Sequence, residues 1–128
     1  MLSDTEAIAT VAVRNLKEAA AFYENILGLK PQAREGDEVI SYGTGSTVLN
    51  VYRSQFAGTN QATAVTWNVG NAIDDVVARL KAKGVKFEHY EMPGITRQGD
   101  LHLCGAMKVA WFKDPDGNIL NIHNGAKA

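Results

Sequence analysis

Cysteine is nearly missing from this sequence: Cys104 stands alone among 128 residues, so no disulfide can close within the chain, and a reducing, cytoplasmic setting is the expectation. Basic clusters are missing as well. Thirteen lysines and arginines against fourteen aspartates and glutamates leave a formal charge of −1, and no run of cations is interleaved with aromatics, which speaks against nucleic-acid binding. The opening Met-Leu-Ser-Asp-Thr-Glu lacks the apolar centre of a secretory leader. No later stretch approaches the ~18 consecutive apolar residues of a membrane span. Histidine is scarce: His89, His102 and His123 are the only three, and none is spaced from another as paired ligands on one helix turn or strand would be. What remains, 45% hydrophobic and 21% charged, is the composition of one compact globular domain spanning residues 1–128.

The richest stretch is Lys108 to Asn124, where two runs of strand-forming residues flank Asp114-Pro115-Asp116-Gly117. Proline presets the second position of a type I turn, Asp114 can accept from the turn amides, and Gly117 supplies the left-handed position that closes a bulge. If Asp114 opposes Asn118, Phe112 falls beside Leu120 and Trp111 beside Asn121. One face of the hairpin is then apolar (Ala110, Phe112, Leu120, Ile122). The other carries Trp111, Lys113, Ile119, Asn121 and His123.

Upstream, residues 7–13 read as a strand, and Asn15-Leu-Lys-Glu18 has the spacing of a helix capping box. Leu16, Ala19, Ala20, Tyr23, Ile26 and Leu27 recur at helical spacing, and Gly28 is the expected left-handed residue past the helix end. Strands over 38–42 and 47–52 follow. The pattern then begins again 56 residues later: Val13 maps to Val69, Asn15 to Asn71, Gly28 to Gly84 and Leu29 to Val85. The second copy reads as strand 64–69, helix 72–83 and strand 85–91, ending in the hairpin. Residues 92–105 form an insertion without clear period, the kind of loop that often sits over a site. The expected architecture is α+β: repeat units 7–53 and 64–123, each a βαβββ module, forming a curved mixed sheet with helices outside and a concave ligand trough.

Asn15-Leu16, Phe22-Tyr23, Leu27-Gly28 and the run Phe112-Lys-Asp-Pro-Asp-Gly-Asn118, in this arrangement, resemble the vicinal oxygen chelate superfamily. That group comprises glyoxalase I, extradiol dioxygenases, fosfomycin-modifying enzymes and bleomycin-binding resistance proteins. The resemblance covers nearly the whole chain and implies the paired βαβββ fold and a homodimer, but no particular reaction. It also implies where metal-using members place their ligands: a His on the first strand, a His at the matching point of the second unit and a Glu on the last strand. Those positions hold Ile8, Ala64 and Asn121 here, and a fourth falls near Leu49 or Asn50. None is a strong donor, so neither a metal nor another cofactor is expected.

Alternation from these positions marks the trough face. It predicts Thr10, Thr66, Asn68, Trp111, Asn121 and His123 as ligand-binding residues, with neutral hydrogen-bonding groups beside an aromatic wall. Val11, Val13, Val65, Trp67 and Val69 should face the helices. The leading expectation is a metal-free small-molecule-binding protein of the glyoxalase/bleomycin resistance type. The alternative is a lyase or dioxygenase-like enzyme with unusual metal ligands such as Glu88, His102 and His123, or with inserted-loop residues such as Cys104. A third is a dimerising or regulatory subunit whose trough is filled by its own side chains.

Overall fold

Alternation chooses the buried side of the first strand in the structure, a computed structural model that describes residues 1–126. In β1 (Ala9–Val13), Val11 and Val13 are buried while Ala9 and Thr10 are exposed. The chain resolves into two compact units: Met1–Asn60 with Pro115–Asn118, and Gln61–Asp114 with the described residues from Ile119 onward.

In the first unit the Asn15 side chain accepts from the Glu18 amide at 3.1 Å, satisfying one of the orphan donors at the start of α1 (Leu16–Ala20). The helix then widens into a π-helical turn over Ala21–Ile26. Leu16, Ala19, Phe22 and Tyr23 are buried on one side, with Tyr23 stacked on Tyr42 at 6.1 Å. Three further strands follow, β2 (Lys30–Glu35), β3 (Val39–Thr44) and β4 (Thr47–Arg53), in the spatial order β1-β4-β3-β2, with β1 parallel to β4 and the others antiparallel. Sequence periodicity misses β2. Every residue of Lys-Pro-Gln-Ala-Arg-Glu is exposed, so no apolar alternation marks it, and Pro31 is tolerated because the strand is at the sheet edge beside an irregularity in register. Glu24 accepts the Tyr42 hydroxyl at 2.8 Å. Burial first, and the Glu24 carboxylate second, hold that hydroxyl protonated well above its usual range.

The second unit repeats the path. β5 (Thr63–Asn68) is parallel to β10 (Ile119–His123), β10 is antiparallel to β9 (Met107–Lys113), and β9 is antiparallel to β6 (Phe87–Glu88). The order β5-β10-β9-β6 is that of β1-β4-β3-β2, with α2 (Ile73–Ala82) in the place of the first helix. Each unit is therefore a βαβββ module with a mixed sheet.

Three local expectations change. Asn71 does not cap α2: it sits inside a 3-10 turn, Gly70–Ala72, whose amide at Gly70 is taken by the Asn68 side chain at 3.0 Å. The insertion is not an irregular loop but a hairpin, β7 (Thr96–Gln98) and β8 (Leu101–Cys104), which extends the sheet by pairing β8 with β9. Finally, Val65, Trp67 and Val69 are only half-buried, because β5 lies at the edge of its sheet.

The helix ends are as the repeat predicts. Gly28 and Gly84 both have positive φ, 75° and 93°. Past α2, Val85 donates to the Leu80 carbonyl at 3.0 Å and Gly84 to Lys81 at 3.0 Å, the paired bonds of a Schellman motif. The linker is pinned at Gly58, where any side chain would run into the Asp116 carbonyl. Beside it Asn118 donates to the Ala12 carbonyl at 2.7 Å and the Arg14 amide to Asp116 at 3.1 Å, which is why the hairpin tip belongs to the first unit. No helix among the described residues is long and apolar enough to cross a membrane.

Candidate functional site

The pairing of β9 with β10 decides which side chains share a face, and it follows the turn chemistry: Phe112 opposes Leu120, Trp111 opposes Asn121, and Val109 opposes His123. Ala110, Phe112, Leu120 and Ile122 are buried on one side, with Phe87 against Phe112 at 5.8 Å. The other side lines a cleft of about 560 Å³ formed by Met107, Val109, Trp111, Asn121, His123, Gly125 and Ala126. On β5, Thr66 opposes Asn121 and Asn68 opposes His123, so five of the six sequence-predicted residues stand on this face. Thr10 does not join them there. It belongs to the sheet of the first unit, where its exposed hydroxyl donates to the Ile8 carbonyl at 3.3 Å.

One residue of β5 changes side. Register shifts at the start of β10, with Ile119 opposite Thr63 and Leu120 opposite Val65, so Ala64 is the extra residue of a bulge. Thr63 therefore reaches the cleft side, and its hydroxyl accepts the Trp111 indole N–H at 3.1 Å. Strict alternation cannot see a bulge. Met107 and Val109, by contrast, were legible, being two and four residues before Trp111 on the same strand. Gly125 and Ala126 lie past the last strand and carry no periodic signal.

Trp111 is held on three sides. Besides Thr63, the His102 ring meets it edge-on at 4.8 Å and the Tyr90 ring at 5.3 Å. Asn68 is tied to Gly70, and the His123 Nδ1 accepts the Gly125 amide at 2.9 Å. With Nδ1 an acceptor, the neutral ring carries its hydrogen on Nε2. Asn121 is different: its Oδ1 is buried and has no hydrogen-bond partner, a cost of about 1–3 kcal/mol that a folded chain rarely carries without use. Replacing it with leucine should raise the unfolding free energy by about that amount. Urea denaturation measures the gain, and its absence would mean that the unpaired oxygen carries no such cost in the folded chain.

The inserted hairpin holds several polar groups in structural bonds, but the buried Nδ1 of His102 has no hydrogen-bond partner. His102, within the insertion, is fully buried in the sheet, and its Nε2 accepts the Tyr90 amide at 2.9 Å. Burial, helped by nearby His89 and Arg97, pushes its pKa down against backbone contacts at Val109 and Asp100. It is therefore a neutral core residue. His89 lies between Asp100, at 2.8 Å from Nε2, and Arg97, at 3.0 Å from Nδ1. Asp100 also meets Lys81 at 2.9 Å, and these bonds, His89 first, hold its carboxyl below the usual carboxylate range. Cys104 is half-buried opposite Met107.

A catalytic metal of the kind the resemblance implies does not fit these residues. Ile8 and Ala64 offer no donor atom. Asn121 offers one neutral carbonyl, where a divalent ion needs about three converging nitrogen or charged oxygen donors. The unusual set of Glu88, His102 and His123 does not supply them either, since Glu88 pairs with Lys113 at 3.5 Å and the three side chains form no group that could hold an ion. Among the described residues no group of three or more His, Cys, Asp or Glu side chains could hold an ion.

Solved structures with this fold are numerous. A lactoylglutathione lyase from Agrobacterium tumefaciens matches with a TM-score of 0.72 and 16% identity, covering 94% of this chain and 93% of its own. The fosfomycin resistance protein FosX from Listeria monocytogenes, solved with Mn(II) and sulfate, matches with a TM-score of 0.71 and 18% identity, covering 98% and 93%. An integron cassette protein from the mobile metagenome of a Halifax Harbour sewage outfall matches with a TM-score of 0.68 and 17% identity, covering 91% and 94%. No curated protein matches the sequence. The family model for the Glyoxalase/Bleomycin resistance protein/Dioxygenase superfamily matches residues 7–122, nearly the full length, and the chain belongs to that superfamily.

Proposed function

We propose that this chain is a metal-free small-molecule-binding protein, with its ligand seated in the cleft beside Trp111. The observation that carries the reading is the orphaned Asn121 Oδ1, buried on the wall of a cleft of about 560 Å³. A buried acceptor without a partner is a poor structural element and a good recognition element. Thr66, Asn68 and His123 complete the binding face.

Native mass spectrometry of the purified protein tests this directly, the expected result being a retained organic molecule and no metal. Metals give the second arm. An ion at 100 times its dissociation constant stabilises a fold by ~2.7 kcal/mol, several degrees in Tm for a domain of this size. Zinc, nickel, manganese, iron(II) and magnesium should each leave Tm unchanged. Stoichiometric metal bound by residues of the cleft would overturn the proposal in favour of a lyase- or oxygenase-type enzyme. Trp111→Ala should weaken ligand binding at least as much as it lowers stability. The proposal extends to a cytoplasmic homodimer, a state implied by family resemblance, and sedimentation that finds only monomer at high concentration would remove that part.

A further inference from the structure

Which chemistry the cleft accepts is written in three of its residues, given that the cleft is a ligand site. No lining residue is acidic or basic other than His123. A carboxylate, phosphate or ammonium would therefore lose its hydration without gaining a counter-charge. The Trp111 indole N–H is taken by Thr63, so this side chain offers a ring surface and no donor. Asn121, on the cleft wall, carries one unpaired acceptor that is covered in the unliganded fold and is exposed by a turn of its side chain. His123, whose Nδ1 is occupied by the Gly125 amide, offers the N–H at Nε2. Residues 121 and 123 point to the same side of β10, about 6.6 Å apart along the strand. Their acceptor and donor thus form a row beside an aromatic wall.

We infer that the ligand is an uncharged, flat, fused-ring molecule that presents an N–H or O–H donor to Asn121 and a carbonyl-type acceptor to His123 while its ring lies against Trp111. Met107 and Val109 supply the apolar contact such a ring needs, and Gly125, packed against the Asn68 side chain, closes the rim. Water alone could fill the same two hydrogen bonds, but it would gain nothing from the indole.

The test is an NMR titration of the full chain, carrying Trp67→Phe so that one indole N–H signal remains, that of Trp111. Three probes are compared: 1H-quinolin-4-one, its N-methyl derivative, and quinoline-4-carboxylate. The first should move the Trp111 indole signal and saturate. N-methylation, which deletes only the donor, should weaken binding about tenfold, and the anion should bind more weakly still. In Asn121→Leu the two neutral probes should become equal to within about twofold, since the acceptor that told them apart is gone. An N-methyl probe that binds as tightly as the parent, or an anion that binds best, overturns the inference while leaving the cleft a ligand site. If none of the three moves Trp111, the fused-ring inference falls, and the native mass spectrum decides separately whether the cleft is a site.

Discussion

Phe112→Ala should lower the unfolding free energy by about 3–5 kcal/mol. The ring is 1% exposed, stands opposite Leu120 and meets Phe87 edge-on at 5.8 Å, so truncation removes a large apolar surface and leaves a cavity in a close-packed layer. The neighbouring Trp111→Ala should cost less stability, because Trp111 is half-buried on the cleft face. Chemical denaturation of the two variants side by side measures the contrast. A larger loss at Trp111 than at Phe112 would mean that the faces of β9 are assigned the wrong way round.

Acid should destabilise the protein through His102 well before the carboxylates respond. The folded-state pKa of this histidine lies below its ordinary value of 6.5, so between the two values the unfolded chain binds a proton that the folded chain refuses. Stability is then unaffected above pH 6.5. As pH falls from there toward the folded pKa it drops, with a slope of at most about 1.4 kcal/mol per pH unit. Asp100 acts in a separate window: its folded pKa is depressed below 3.8, so the stability it contributes is present above that value and is lost only as pH falls below it. His102→Gln removes the titrating group while keeping an acceptor for the Tyr90 amide. Denaturant midpoints measured from pH 7.5 to 4.5 should show a shallower acid slope in this variant than in the wild type. Equal slopes would place the proton uptake elsewhere.

The hairpin register was legible from residues alone, and with it the division between Phe112 in the core and Trp111, Asn121 and His123 on the cleft face. A tight turn is a local device, and once it is set, strict alternation carries its consequence along both strands. The repeat was legible for the same kind of reason: Asn15, Gly28 and Gly84 answer to helix-end geometry within a few residues of themselves. Where a neighbour in space decided the outcome, the residues were silent or misleading. β2 has no apolar face of its own, and only pairing with β3 makes it a strand.

The same division holds for the site. Sequence by itself determined the fold class, because periodicity and capping are local properties that survive without coordinates; the family, and the positions Ile8, Ala64 and Asn121 where metal-using members would place donors, came from the resemblance that its motifs carry. Tertiary structure alone decided that Ala64 sits in a bulge and Thr63 braces Trp111, that the 96–104 segment is a strand pair burying His102, and that the Asn121 oxygen is left without a partner. Burial and hydrogen-bond satisfaction depend on atoms supplied by strands far apart in the chain, and no pattern within a single strand encodes which of its polar groups those atoms will leave unpaired.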